Sequence, residues 1–217
     1  MFHRPVHMNS DANACALAER LFGSLRGTQN LVYLTMSTGL GGGVIANGQL
    51  IQGLSDTAGE VGHYVLDPAG PVCPCGLRGC FEVYCGGLNV ARRIQERIQH
   101  ENIKTSILEY AGGNPHDIDL KVFLQAVRTQ DPFALETWKE FIERLAQGMG
   151  IIIMTLNPEV IVLGTIAIHA GNLLMEPLIK SLPKYVWKRP LDSCKIVPST
   201  LGSSIGDLSA MAVALCS

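Results

Sequence analysis

The sequence contains little charge and few aromatic residues. Of its 217 residues, 17% are charged and 6% are aromatic, against roughly 25% charged residues in an average soluble domain. Hydrophobic residues nevertheless make up 47% of the chain. That content excludes an intrinsically disordered protein, which is poor in hydrophobic residues and rich in charge. We therefore expect a compact globular fold.

Long apolar runs and an excess of basic charge are also missing. The longest apolar run, residues 149–156, is far shorter than the roughly 20 residues that cross a membrane. The net charge of −2 argues against nucleic acid as a partner, because domains that bind nucleic acid carry basic surfaces. Residues 1–5 contain neither the apolar run nor the cleavage site of a signal peptide. We expect a cytoplasmic protein that binds neither nucleic acid nor membrane.

Short apolar runs alternate with amphipathic segments along the chain. Runs at residues 31–35 and 160–164 predict buried strands, and Asn47 and Gly48 between two further runs predict a hairpin. Helical periodicity and capping residues predict helices at residues 14–22, 88–99, 119–128, 133–156, 173–182 and 208–216, and a last strand is predicted at 194–198. Strands that alternate with helices indicate an α/β fold.

Cysteines cluster in one short segment. Cys73, Cys75 and Cys80 are separated mainly by glycine and proline, and such a group in a chain without an export signal is typical of a metal site. Three thiolates and one imidazole form a common closed site for structural zinc. His63 is the favoured fourth ligand because it lies nearby in sequence, and Cys85 is the alternative.

A glycine-rich segment, residues 38–43, follows the first predicted strand. Its backbone N–H groups could cradle an anion. It is neither a Walker loop, since no Gly-Lys-Ser/Thr follows, nor a Rossmann fingerprint, since a hairpin follows instead of a helix. A plain loop before the hairpin is an equally good interpretation.

Three carboxylates are candidates for acid–base chemistry or hydrogen bonding. Asp11 stands at a predicted helix start, where a carboxylate is equally well explained as a cap or as a partner of the helix dipole. Composition favours the capping role about two to one over a catalytic one. Glu60 and Glu82 flank the cysteine segment, so a metal-bound fold would bring them near one another.

Four segments together resemble the ROK family of sugar kinases and sugar-responsive repressors. Residues 36–43 with 59–63 are similar to the family signature and residues 73–82 to its zinc loop. Residues 11–19 resemble the helix that begins with the catalytic aspartate, and residues 157–164 the strand beside the adenosine site. The resemblance implies a ribonuclease-H-like, actin-like ATPase-type α/β lobe, in which helices flank a mixed sheet and a loop binds zinc.

The resemblance also implies roles for individual residues. It implies Asp11 as the catalytic base, Ser10, Glu60, His63 and Glu82 as sugar-binding residues, Thr38, Gly39, Gly41 and Gly42 beside the ATP phosphates, Gly164 beside the adenosine, and His63, Cys73, Cys75 and Cys80 as zinc ligands. Two positions depart from the family pattern: Ser10 replaces a sugar-binding asparagine, and Thr165 replaces the second of two glycines.

These implications lead to one expected function and two alternatives. We expect ATP-dependent phosphorylation of a hexose or N-acetylhexosamine, with magnesium accompanying ATP and with structural zinc. The alternatives are a non-catalytic sugar-binding or regulatory module and a zinc-stabilised oligomerisation lobe. No Asp-x-Gly-x-Thr phosphate loop matches in the chain, so we expect residues 1–217 to form the C-terminal kinase lobe without the family's N-terminal lobe, and to associate as a homodimer or with that lobe.

Overall fold

The structure, a computed structural model, describes residues 6–216. The signal-peptide prediction concerns residues 1–5 and so lies outside the described residues. Within the described chain, no helix combines the length and the apolarity that crossing a bilayer requires.

A five-stranded mixed sheet forms the centre of the fold. Its strands are β1 (Leu31–Met36), β2 (Leu40–Ala46), β3 (Gln49–Leu50), β4 (Val160–Leu163) and β5 (Lys195–Pro198). The spatial order is β3-β2-β1-β4-β5; β1 and β2 are antiparallel, as are β2 and β3, while β1, β4 and β5 are parallel. The predicted α/β fold class is confirmed by this sheet.

Ten α-helices accompany the sheet in the described residues. They are α1 (Asp11–Phe22), α2 (Phe81–Cys85), α3 (Gly87–Glu101), α4 (Ser106–Tyr110), α5 (Leu120–Arg128), α6 (Pro132–Leu156), α7 (Ile166–Ala170), α8 (Asn172–Ser181), α9 (Lys188–Ser193) and α10 (Ile205–Cys216). The six predicted helices are all present. The short helices α2, α7 and α9 were missed because five or six residues are too few to show a 3.6-residue period.

Successive residues of the central strands point into two different cores. Leu31, Tyr33 and Val160 pack with α1 and α10 on one face. Val32 and Ile161 pack with α6 and its neighbours on the other face. Because strand side chains alternate and both faces are covered, these strands consist of consecutive apolar residues.

The prediction that the glycine-rich segment is a loop is wrong for residues 40–43, four of its six residues. Gly41, Gly42 and Gly43 lie inside β2, and only residues 37–39 form the turn between β1 and β2. A Cβ atom at Gly42 would lie 2.8 Å from the Gly59 carbonyl oxygen. The glycines therefore allow neighbouring backbone to approach a buried strand, a need that local sequence alone does not reveal.

Candidate active site and metal centre

The start of β2 is where the candidate sugar-site segments meet. At Gly41, a Cβ atom would lie 3.5 Å from the Cβ of Ala12, the residue after Asp11. The Glu82 carboxylate in α2 accepts a hydrogen bond from the Leu40 N–H at 3.0 Å, and the Gly59–Glu60 turn packs on Gly42. The fold thus gathers the segments that carry Asp11, Glu60 and Glu82 around one strand end.

The helix cap predicted for Asp11 belongs to its neighbour. Ser10 is the N-cap of α1, and its hydroxyl accepts a hydrogen bond from the Asn13 N–H at 3.3 Å. Asp11 is the first helical residue and is exposed; its Oδ1 accepts from the Ala12 N–H at 2.7 Å. The positive end of the helix dipole favours a carboxylate there. The composition-based assignment of the cap to Asp11 is therefore wrong, whereas the first-turn position of this exposed residue fits a partner of the helix dipole.

His63 lies between the candidate sugar residues and the cysteines. It ends a 3₁₀ turn, Val61–His63, that begins directly after the exposed Glu60. Its Nδ1 lies 3.8 Å from the Cys73 sulfur. Glu82, two residues after Cys80, is half-buried in α2. A Cβ at Gly62, the residue before His63, would lie 3.5 Å from the Glu82 Cβ.

The four predicted zinc ligands converge. One ligand atom from each of His63, Cys73, Cys75 and Cys80 lies within 4.8 Å of the others, and the Cys75 and Cys80 sulfurs are 3.7 Å apart. Two sulfurs bound tetrahedrally at 2.3 Å from zinc lie about 3.8 Å apart, so the donor set and its spacing fit zinc. Cys85, the alternative ligand, is buried elsewhere and donates to the Phe141 carbonyl.

The thiols of this cluster differ in their proton affinity. Burial raises the pKa of Cys73 and raises the pKa of Cys80 to about 12. The backbone N–H of Leu77 lowers the pKa of the exposed Cys75. Since zinc binds thiolates, metal binding here has to displace protons from the two buried sulfurs.

Helix α6 fastens the segments on either side of the cysteine cluster to the core. The Arg144 guanidinium pairs with Asp67 at 3.0 Å and stacks over the Tyr84 ring, with its Cζ 4.3 Å from the ring centroid. Gln147, one turn along, donates to the Leu66 carbonyl at 3.0 Å. Sequence reasoning missed both residues; their three-residue spacing on a helix face was the available signal.

A cavity opens at the carboxyl ends of the parallel strands β1 and β4. Its volume is about 510 Å³. The lining combines apolar side chains with polar and basic ones, namely Met36, Leu120, Leu124 and Ile166 with Lys121, Arg128, Thr165 and His169. Ligand sites of open α/β sheets favour this strand edge, yet these lining residues form no motif and were not predicted.

The predicted nucleotide-binding residues are divided between surface and interior. Thr38 is exposed and Gly39 half-buried in the β1–β2 turn, whereas Gly41 and Gly42 are half-buried and buried in β2. Gly164 is buried, and its N–H donates to the Leu34 carbonyl at 2.8 Å. Thr165, the next residue, lines the cavity with a φ of +31° and ψ of −83°. Such a positive φ suits glycine better than a β-branched residue.

The fold and the site define a class of protein: a mixed α/β lobe of the actin-like ATPase type with a cluster of three cysteines and one histidine near candidate carboxylates. The model of the ROK family matches residues 1–216. The chain belongs to the ROK family.

Known relatives include both enzymes and regulators. The glucokinase of Thermotoga maritima is 33% identical over 97% of this chain and 66% of its own length. A crystal structure of a Streptomyces griseus ROK glucokinase with glucose and AMPPNP has a TM-score of 0.82 at 29% identity, covering 95% of this chain and 67% of that one. A ROK transcriptional regulator, a homologue of the E. coli MLC protein, has a TM-score of 0.84 at 26% identity, covering 98% of this chain and 52% of that one. The chain thus spans about half to two thirds of these proteins.

Proposed function

We propose that this chain is the catalytic lobe of an ATP-dependent sugar kinase that phosphorylates a hexose or N-acetylhexosamine. The observation that carries the proposal is the exposed Asp11 at the start of α1. The next residue, Ala12, packs on Gly41 at the strand end where Glu82 and the Gly59–Glu60 turn meet. Phosphoryl transfer requires a positioned acceptor hydroxyl, a carboxylate to take its proton, and stabilisation of phosphate charge.

Asp11 is the proposed general base. It takes the proton of the sugar hydroxyl as that oxygen bonds to the γ-phosphorus and the bond to the departing ADP oxygen breaks. One of its oxygens is held by the Ala12 N–H, which leaves the other for the sugar.

The sugar is held by hydrogen bonds from residues around the start of β2. Glu60 and Glu82 supply carboxylate acceptors, and the Ser10 hydroxyl is exposed at the same helix start. Because Nδ1 of His63 faces the Cys73 sulfur, Nε2 is the ring nitrogen available to a sugar hydroxyl. Rigid placement of these groups lowers the entropic cost of reaching the reactive geometry.

The nucleotide is proposed to lie between the β1–β2 turn and the cavity beside Thr165. Thr38 and Gly39 offer a hydroxyl and backbone N–H groups to the phosphates, which magnesium would partly neutralise. The apolar lining of the cavity suits a purine base, and Gly164 brings the backbone close to the adenosine. In this proposal, Gly41 and Gly42 contribute indirectly, because they allow α1 and the Gly59–Glu60 turn to approach β2.

Zinc, held by His63, Cys73, Cys75 and Cys80, is proposed to be structural. Four protein ligands leave no open position for chemistry. When bound, the metal fixes the loop that carries His63 and leads into Glu82. Reduced thiolates and ATP as co-substrate both favour the cytoplasm.

Self-association is also proposed. Trp187, Leu88 and Ile179 are 75%, 64% and 52% exposed, and exposed apolar side chains mark an interface where they form a contiguous patch. Light scattering at micromolar concentration should give a mass above that of one chain. A mass of one chain would contradict this.

A regulatory sugar-binding module is the second candidate, because the MLC homologue matches this chain as well as the kinases do. A zinc-stabilised oligomerisation lobe is the third, and it predicts no sugar binding. Calorimetry with glucose, mannose and N-acetylglucosamine separates the third candidate from the others.

A coupled ADP-release assay separates the kinase from the regulatory module. We expect slow turnover by the 217-residue chain and faster turnover when the N-terminal lobe of a ROK glucokinase is supplied. Sugar binding without ADP release in both preparations would contradict the kinase proposal.

A further inference from the structure

The turn between β1 and β2 is held from one side by the α2–α3 segment. The N–H of Gly87 donates to the Ser37 carbonyl at 2.9 Å, and the N–H of Leu88 donates to the Thr38 carbonyl at 2.9 Å. The third bond runs the other way: the N–H of Leu40 donates to Glu82 Oε2 at 3.0 Å. Backbone atoms make the first two, so Glu82 is the one side chain in this set.

The Glu82 carboxylate lies directly against the turn. A Cβ atom at Gly39 would lie 2.6 Å from Glu82 Oε2, closer than side chains can approach. The absence of a side chain at Gly39 therefore leaves room for the carboxylate. A hydrogen bond to a charged acceptor is stronger than one between neutral groups. The bond from the Leu40 N–H to Glu82 should therefore stabilise the turn measurably.

The same carboxylate is close to the cysteine cluster along the chain, because Glu82 is only two residues after Cys80. Cys80 is the N-cap residue of α2, and Glu82 lies in the first turn of that helix. The Phe81 N–H donates to the Tyr64 carbonyl, next to His63, at 2.7 Å. Fixing Cys80 and His63 therefore fixes the base from which the Glu82 side chain reaches the turn.

We propose that Glu82 is a positioning residue that latches the β1–β2 turn and couples the zinc loop to it. The latch consists of the Glu82 carboxylate, the Leu40 N–H and the open space at Gly39. Its consequence for nucleotide affinity depends on the proposed function, in which this turn meets the ATP phosphates; the latch itself does not.

Hydrogen exchange of the Leu40 amide, followed by NMR, tests the latch directly. Glu82→Ala should speed this exchange roughly 10- to 100-fold, the factor expected for loss of a hydrogen bond to a charged acceptor. Glu82→Gln retains an acceptor oxygen and should retain most of the protection. Gly39→Ala should speed the exchange although Glu82 is present, because the added methyl group displaces the carboxylate.

Matched controls separate a local effect on the turn from a loss of stability of the whole fold. Glu60→Ala removes the other candidate sugar carboxylate without touching the turn and should leave Leu40 exchange unchanged. The amide of Leu145, in the buried part of α6, reports global unfolding and should not change in any variant. Removing zinc with a chelator should speed exchange at Leu40 more than at Leu145.

The outcomes are distinguishable. Unchanged Leu40 exchange in Glu82→Ala would overturn the latch, and equal changes at Leu40 and Leu145 after chelation would overturn its coupling to zinc. Calorimetry with magnesium and AMPPNP should show weaker binding by Glu82→Ala than by Glu82→Gln. If the wild type shows the latch but does not bind AMPPNP, the latch stands and the nucleotide part of the proposed function fails.

Discussion

Gly148 lies on α6 against the ring of Phe81, so its substitution by alanine sets two effects against each other. Alanine stabilises a helix interior by about 1 kcal/mol relative to glycine. However, the new Cβ would lie 2.5 Å from Phe81 Cζ, and Phe81 is completely buried. Overpacking of this kind typically costs about 1–3 kcal/mol, and a ring with no space to move into lies at the upper end. We expect Gly148→Ala to destabilise the protein by about 1–2 kcal/mol net.

The control for this prediction is Gly206 in α10, where nothing lies within 4 Å of an added Cβ. Gly206→Ala should be neutral or stabilise the protein by up to about 1 kcal/mol. Urea unfolding measures the free energy of unfolding of both variants, and unchanged m-values show that the difference is one of stability. Because Phe81 lies between Cys80 and Glu82, Gly148→Ala should also weaken zinc retention during dialysis. A Gly148→Ala protein as stable as Gly206→Ala would refute the packing argument.

Three further predictions concern the zinc cluster, a carboxylate that caps α6 and also binds the start of α4, and a residue with a strained backbone. Cys75→Ser should abolish stoichiometric zinc and lower the Tm, whereas Cys216→Ser, at an exposed cysteine outside the cluster, should do neither; elemental analysis and calorimetry measure this. Asp131 caps α6 through the Ala134 N–H and also binds Thr105 and Ser106; although burial acts to raise its pKa, these bonds lower it overall. Its stabilising contribution should therefore be complete above the unfolded-state pKa of about 3.9 and be lost as pH falls through the lower folded-state pKa. Asp131→Ala should cost about 2–3 kcal/mol at pH 7 and less at acid pH, so an unfolding cost that does not depend on pH would count against the ionised cap. Thr165→Gly should stabilise the protein by about 1 kcal/mol by relieving its positive φ, and a lower Tm for this variant would show that the backbone there is not strained.

Much of the fold could be predicted from local patterns. Consecutive apolar residues in β1 and β4 identify strands buried on both faces, and the Asn47–Gly48 pair identifies the β2–β3 hairpin. Glycine is ambiguous in such patterns, because Gly42 lies inside a strand and Gly39 in a turn, yet at both positions the missing side chain makes room for a neighbouring group. Only the three-dimensional neighbours of each glycine show which group makes that approach.

The candidate site divides in a similar way. Cysteine spacing was sufficient to bring Cys73, Cys75 and Cys80 together, because their ligand atoms come from one short segment. The cavity beside Thr165 combines residues of α5, α7 and β1, which are far apart in sequence, so no local signal could reveal it. The capping role also required coordinates, since Ser10 and Asp11 are both good N-cap residues and only backbone geometry shows which one begins the helix.

The turnover of Asp11→Asn is the most direct test of the kinase proposal. The Ser10 cap and the helix start are retained in this variant, so its Tm and its sugar Kd should remain close to those of the wild type. Loss of the proton acceptor should lower kcat by about 10²- to 10⁴-fold, measured by ADP release with the N-terminal lobe supplied to both proteins. Comparable kcat values for Asp11→Asn and wild type, at matched stability and sugar affinity, would contradict the assignment of Asp11 as the catalytic base.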